Sequence, residues 1–320
     1  MAASSRLVRS LARLFVPAIV LFIAAVLAGS VWLVYTAAHP KPSSYLITPE
    51  KFGRISSRAA QITDETWPAH DGTTLSGWLL RGAPNAPAVI LYHRYEVNRS
   101  HVLNLGVKLS EATDFTILMP DLRSHGDQLQ KKGTSFGGCD TEDALSAIEF
   151  LRGLRTPDQI ALIGKDIGVY GVELGALTAL FAAAKDPSVK ALVLDSVPEN
   201  SDQLLDGIIR RKYPFANFIT AGLAKIGTHI YFYDGCYSRN STCDTARNIS
   251  DRKVLLLAGV DSAGYQESTA KLAKCFPDNN KIDVKTDLSP SGFSIIDASI
   301  EQSDAYHQRV IDFFRSSLAN

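Results

Sequence analysis

The stretch Ile167-Gly168-Val169-Tyr170-Gly171-Val172-Glu173-Leu174-Gly175-Ala176-Leu177 decides how this chain is read. An apolar run enters at Ile167, and the helix-forming sequence ALTALFAAA leaves after Gly175, so a buried strand passes into a helix within a few residues. Small residues on both sides of position 173 are what a sharp strand-to-helix turn needs when it carries one exposed reactive side chain. The side chain at that point is a glutamate.

On either side of the turn, short apolar runs alternate with helical patterns, the mark of a mostly parallel sheet covered on both faces. The parallel strands are expected at Ala88–Tyr92, Phe115–Met119, Ile167–Tyr170, Ala191–Leu194, Val254–Leu257 and Ile282–Lys285. The opening differs, because QITDETWPA and TTLSGWLLRG flank His70-Asp71-Gly72, and Asp-Gly between alternating strands signals an antiparallel hairpin. Val102, Leu105 and Leu109 repeat at helical spacing, as do Leu145, Ile148 and Leu151 behind an Asp140 cap, and Tyr306, Val310 and Phe313 near the end. From about 201 to 250 the alternation lapses into an aromatic, loop-rich run, which reads as a cap inserted over the strand ends.

The 320 residues are 46% hydrophobic and carry 33 basic against 33 acidic side chains, enough for a large core and no net field that would favour nucleic acid as a partner. Arg6, Arg9 and Arg13 precede an uncharged stretch from Leu14 to Pro40. That stretch exceeds the roughly 20 apolar residues that cross a bilayer and the roughly 7–15 of a cleaved signal's apolar core. Residues 1–13 are therefore read as a basic segment and 14–38 as a transmembrane signal anchor, the arginines placing the N-terminus in the cytoplasm and the globular part on the other side. Trp32 and Tyr35 suit an interfacial belt at its far end. A signal cleaved near Thr36-Ala37-Ala38 and a buried core helix are the alternatives. HPKPSS (39–44) opens a linker over 39–60, and 61–320 form the globular domain.

Four cysteines accord with an oxidising compartment. Cys236 and Cys243 bracket YSRNST and are the candidates for a local disulfide, with Cys139 and Cys275 left as core thiols. No spacing fits zinc, and no metal or other cofactor is expected. Asn98, Asn240 and Asn248 begin N-x-S/T triplets.

Taken together the motifs resemble the α/β-hydrolase superfamily, in particular its lipase/esterase and serine-aminopeptidase-like branches, over about Gln61 to Phe314. HDGTTLSGWLL is similar to the opening hairpin of that family, Ile90-Leu91-Tyr92-His93 to the third strand entering the oxyanion loop, and Asp121-Leu122-Arg123-Ser124-His125-Gly126 to its D-x-R-x-H-G turn. GVELG then stands at the nucleophile elbow, and VKALVLDSVPEN follows. The resemblance implies a nucleophile at the elbow, an acid after the next-to-last parallel strand and a histidine after the last.

This sequence departs from the family at all three stations. Glu173 replaces the serine; Ser262 takes the acid position with Asp261 one place early; Phe293 stands where the histidine belongs. No histidine lies between His229 and His307, and His307 reads as a surface or helix-face residue of the last helix. A serine triad needs imidazole to take and return the proton. The branches with a carboxylate nucleophile use the shorter aspartate and still need a histidine for the water step. Glu173 is therefore expected to be ionised, to cap the following helix and to accept the backbone N–H groups that would hold an oxyanion. His93 and His125 face the same sheet edge and are expected to hydrogen-bond within their loops or line a ligand site.

The reading that follows is a membrane-anchored α/β-hydrolase-fold protein without the family's chemistry, binding an apolar small molecule or a protein partner. The alternative is an active serine-type hydrolase, an esterase or peptidase, with a rearranged site drawing on Ser262, Ser289, Ser291 or Ser294.

Overall fold

A computed structural model describes residues 2–54, 56–126, 132–213, 215 and 218–318; the side chains of 2–12, 14 and 263, which include Arg6 and Arg9 of the basic segment, lie outside that description. The chain divides into two compact units, Met1–Ala37 with Leu205–Gly235, and Ala38–Leu204 with Cys236–Asn320.

The larger unit is built on one eight-stranded sheet in the order β1-β2-β4-β3-β5-β6-β7-β8. Its strands are β1 (Thr63–Pro68), β2 (Thr74–Leu80), β3 (Ala86–Tyr92), β4 (Thr116–Pro120), β5 (Ile163–Val172), β6 (Val189–Asp195), β7 (Lys253–Gly259) and β8 (Lys281–Leu288). The β1–β2 hairpin turns at Gly72 and pairs antiparallel, as does β2 with β4, and every pairing from β4 to β8 is parallel. Central strands such as β3 and β6 are buried on both faces, which is why they read as unbroken Val/Ile/Leu runs. By contrast β8, KIDVKTDL, is an edge strand with charged residues along it, which blunts the open edge.

The helices are α1 (Ala2–Ala38), α2 (Pro49–Phe52), α3 (Leu103–Thr113), α4 (Asp140–Gly153), α5 (Leu174–Lys185), α6 (Ser201–Lys212), α7 (Phe218–Tyr231), α8 (Thr242–Ala246), α9 (Ala263–Leu272) and α10 (Ile300–Leu318). All of Leu174–Ala183 in α5 is buried, so its apolar character on every side is that of a core helix behind the turn at Glu173. In α1, Phe15–Ala38 is 24 residues long with mean hydropathy 2.4, long and apolar enough to cross a membrane.

Four readings of the sequence are revised. The segment 39–60 is not a free linker: Asn98 Nδ2 donates to the Ser43 and Ser44 carbonyls, Tyr45 Oη donates to Asp121, and Phe52 packs against the core. The same bonds close the Asn98 triplet to modification in the folded chain, since Asn98 is fully buried. Asp140 does not act as an N-cap; its Oδ2 gathers Thr134 Oγ1, Ser135 N and Gly137 N and so organises the loop before α4.

The disulfides differ as well. Cys139 joins Cys236 and Cys243 joins Cys275, so Cys236 and Cys243 are not partners and Cys139 and Cys275 are not free thiols. Short separation in sequence misled: the backbone N–H of Cys139 donates to the carbonyl of Cys236, which brings those two residues together across 97 positions.

His307 is buried, not on the surface, because the core stripe of α10 runs His307, Val310 or Ile311, Phe314 and Leu318. Burial, with Lys108 nearby, lowers its pKa from 6.5 to about 4. As pH falls through 6.5 the unfolded chain takes a proton that the folded chain refuses, so stability is lost on acidification. Between pH 8 and pH 5 this one residue should cost about 2 kcal/mol, and His307→Leu should flatten the pH dependence of the denaturation midpoint by that amount. An unchanged pH profile in the variant would show that His307 is not the group responsible.

Candidate functional site

Strand β5 ends at Val172, and Glu173 turns the chain into α5 at φ 52°, ψ −107°, a conformation that a non-glycine residue holds only under strain. The two glycines let the turn close. A Cβ on Gly171 would lie 2.2 Å from the Gly175 carbonyl oxygen, and one on Gly175 would lie 2.6 Å from that of His93.

Glu173 is fully buried. Its side chain makes no capping bond to α5, contrary to the sequence expectation. Instead Oε2 accepts the backbone N–H of Tyr95, from the loop after β3, at 3.2 Å, and Oε1 accepts the hydroxyl of Tyr265, on α9, at 3.1 Å. The N–H of Tyr95 belongs to the loop after β3, and a carboxylate of the protein itself takes that donor.

The other stations lie close by. Phe293, in the loop after β8, has its ring 6.4 Å from that of Tyr265 and the Arg94 guanidinium 4.9 Å above it. Asp261 accepts from the backbone N–H and Oγ of Ser291, so an acid after β7 still reaches the loop after β8 but finds serine there instead of imidazole. Two of the four hydroxyls of the alternative reading are engaged: Ser291 is fully buried against Asp261, and Ser262 Oγ, also buried, bonds Ser196 Oγ and the backbone of Gly259, whereas Ser289 is exposed and Ser294 half-buried.

His93 and His125 hydrogen-bond within their loops. The Nδ1–H of His93 donates to the Arg94 carbonyl and its Nε2 accepts from Leu122 N–H; the Nδ1–H of His125 donates to the Arg123 carbonyl. Burial lowers the pKa of His93 well below 6.5 and that of His125 to about 4, so both are neutral at pH 7. Among the described residues no group of three His, Cys, Asp or Glu gathers as a metal site.

Sequence reasoning missed Tyr95 and Tyr265, whose roles are long-range, and it missed Asp195. That carboxylate ends β6, is fully buried, and accepts from Ser196 Oγ, Gly292 N–H and Tyr306 Oη at 2.7, 2.8 and 2.7 Å. Burial raises its pKa, with the bonds from Tyr306, Ser196 and Gly292 pulling the other way. Its position at the carboxyl end of a parallel strand was the available signal.

This strand order, with a strained turn after β5 and loops after β7 and β8 converging on it, defines the α/β-hydrolase fold. Esterase Pf2001 of Pyrococcus furiosus matches with TM-score 0.62 at 19% identity, over 88% of this chain and 100% of that one. Dienelactone hydrolase of Anabaena variabilis matches with TM-score 0.53 at 16% identity, over 81% of this chain and 99% of that one. At such identities the likeness is one of fold. Thiohydrolase aneE of Aspergillus aculeatus is 27% identical over 127 residues, 38% of this chain and 37% of that protein, so the match spans little more than a third of either. No protein-family model matches the chain.

Proposed function

We propose that this is a membrane-anchored protein of the α/β-hydrolase fold that has given up acyl-transfer chemistry and serves to bind an apolar small molecule or a protein partner. The observation that carries the reading is the bond from Tyr95 N–H to Glu173 Oε2, because a donor meant for a developing oxyanion is occupied in the resting state. Phe293 supports it, since no imidazole stands there to move a proton. Burial of Glu173 also argues against the glutamate as nucleophile: an electrophile would have to displace Tyr95 and Tyr265 before reaching it.

The anchor is Phe15–Ala38, with the N-terminus in the cytoplasm and the sheet on the opposite side. Two disulfides support that side as the oxidising one.

A fluorophosphonate probe and p-nitrophenyl esters test the reading. The unaltered protein and Glu173→Ser should give neither labelling nor turnover, and Glu173→Ser combined with Phe293→His should give the first trace of either. Labelling of the unaltered protein that disappears on changing a serine in the loops after β7 or β8, or a covalent ester on Glu173 after treatment with an epoxide, would restore the enzyme reading.

A further inference from the structure

We propose that α7 lies in the bilayer beside the span, meeting lipid acyl chains with its outer face, so that the unit formed by Met1–Ala37 and Leu205–Gly235 enters the membrane with two helices. This rests on the reading of Phe15–Ala38 as an anchor.

The sequence of α7, FITAGLAKIGTHIY, separates into two faces at 100° per residue. Ala224, Gly227 and Thr228 form one and are buried. Phe218, Ile219, Ile226 and Ile230 lie on the other and are exposed by 80, 55, 46 and 42%, sharing that side with exposed His229 and, at its edge, Lys225. The small face seats on α1: a Cβ on Gly227 would lie 2.2 Å from the Ser30 carbonyl oxygen and 2.9 Å from Val34 Cγ2. Backbone contact through small residues is how helices pair where lipid, not water, surrounds them.

The direction of α7 follows from its partners. Gly227 meets Ser30, and four residues on, Tyr231 stacks edge-on against Tyr35 at 6.3 Å. The two helices thus run in the same sense, and the Phe218 end of α7 points back toward the middle of the span. An aromatic belt marks the level at which they emerge: Trp32 lies 5.8 Å from Tyr213, close to the Tyr35–Tyr231 pair. Trp and Tyr collect at the headgroup boundary, so the isoleucine-rich face of α7 falls on the acyl side of it.

Charge agrees with that placement. Arg210, Arg211 and Lys212 close α6 next to the belt, Lys212 Nζ bonding the Thr36 carbonyl at 2.6 Å, and Asp234 is the one acid from 210 to 235. Basic residues at this level suit anionic headgroups. The exposed face of α7 then continues the lipid-facing surface of the span, where Val20 is 58% exposed. Left in water, two such adjoining apolar surfaces would be a liability.

All four cysteines are bonded, so one introduced cysteine takes a fluorophore selectively. The full chain, labelled singly at Val20→Cys, Phe218→Cys, Ile226→Cys or Lys281→Cys, is reconstituted in phosphatidylcholine/phosphatidylglycerol vesicles containing lipids brominated on the acyl chain. Labels at 218 and 226 should be quenched as the one at 20 is, while that at 281 is not. Quenching at 20 without quenching at 218 and 226 overturns the placement of α7 and leaves the anchor standing. Absence of quenching at 20 removes the anchor and α7 with it. A label at 226 that escapes bromine while the unlabelled Ile226→Cys variant cross-links between copies overturns the proposal in favour of a second copy on this face.

Discussion

Glu173→Gln should unfold at a lower denaturant concentration than the unaltered protein, by about 1–3 kcal/mol, with no change in any turnover. The carboxylate accepts from the N–H of Tyr95 and the hydroxyl of Tyr265, inside a site closed to water. Glutamine keeps one acceptor oxygen and turns an NH2 group toward the other donor, so one buried donor loses its partner. Tyr265→Phe removes the bond from its hydroxyl to Oε1 and leaves the Tyr95 bond in place, so it should cost less, and the two changes together should cost less than their sum, because they act on one network. Urea unfolding of the detergent-solubilised full chain checks both. A Glu173→Gln variant as stable as the parent would mean that the carboxylate is not holding the loop after β3 to α9.

Replacing Cys139 and Cys236 together by serine should be still more costly, about 2–5 kcal/mol. The chain-entropy argument gives about 4.7 kcal/mol for a closure over 97 residues and about 3.7 for the 32 residues between Cys243 and Cys275, so the first bridge matters more. Peptide mapping without reductant should recover Cys139 linked to Cys236 and Cys243 linked to Cys275. A linked Cys236–Cys243 fragment, or four alkylated thiols in protein taken from its native compartment, would overturn both the pairing and the oxidising side assigned to the sheet.

Much of the fold was legible because its signals are local. Apolar runs marked the strands, His70-Asp71-Gly72 marked the hairpin, and Gly171 and Gly175 marked the turn at Glu173. The place of Glu173 was legible for the same reason, since it directly follows the last residue of β5. What could not be read was pairing across the chain. Nothing near Cys139 announces Cys236, and nothing near Glu173 announces Tyr265, 92 residues further on. His307 was misjudged because one turn of α10 does not reveal which side of the stripe is wide enough to take an imidazole.

The Cys139–Cys236 bridge also governs what a protease can do to the molecule. It closes a ring containing everything from α4 through α7. A single cut in that ring opens it without releasing a fragment, so nicked protein would run as one band until reductant is added. A single nick between Cys139 and Cys236 would pass unnoticed on an ordinary non-reducing gel, and the two halves would stay attached at full local concentration after the backbone between them had been severed.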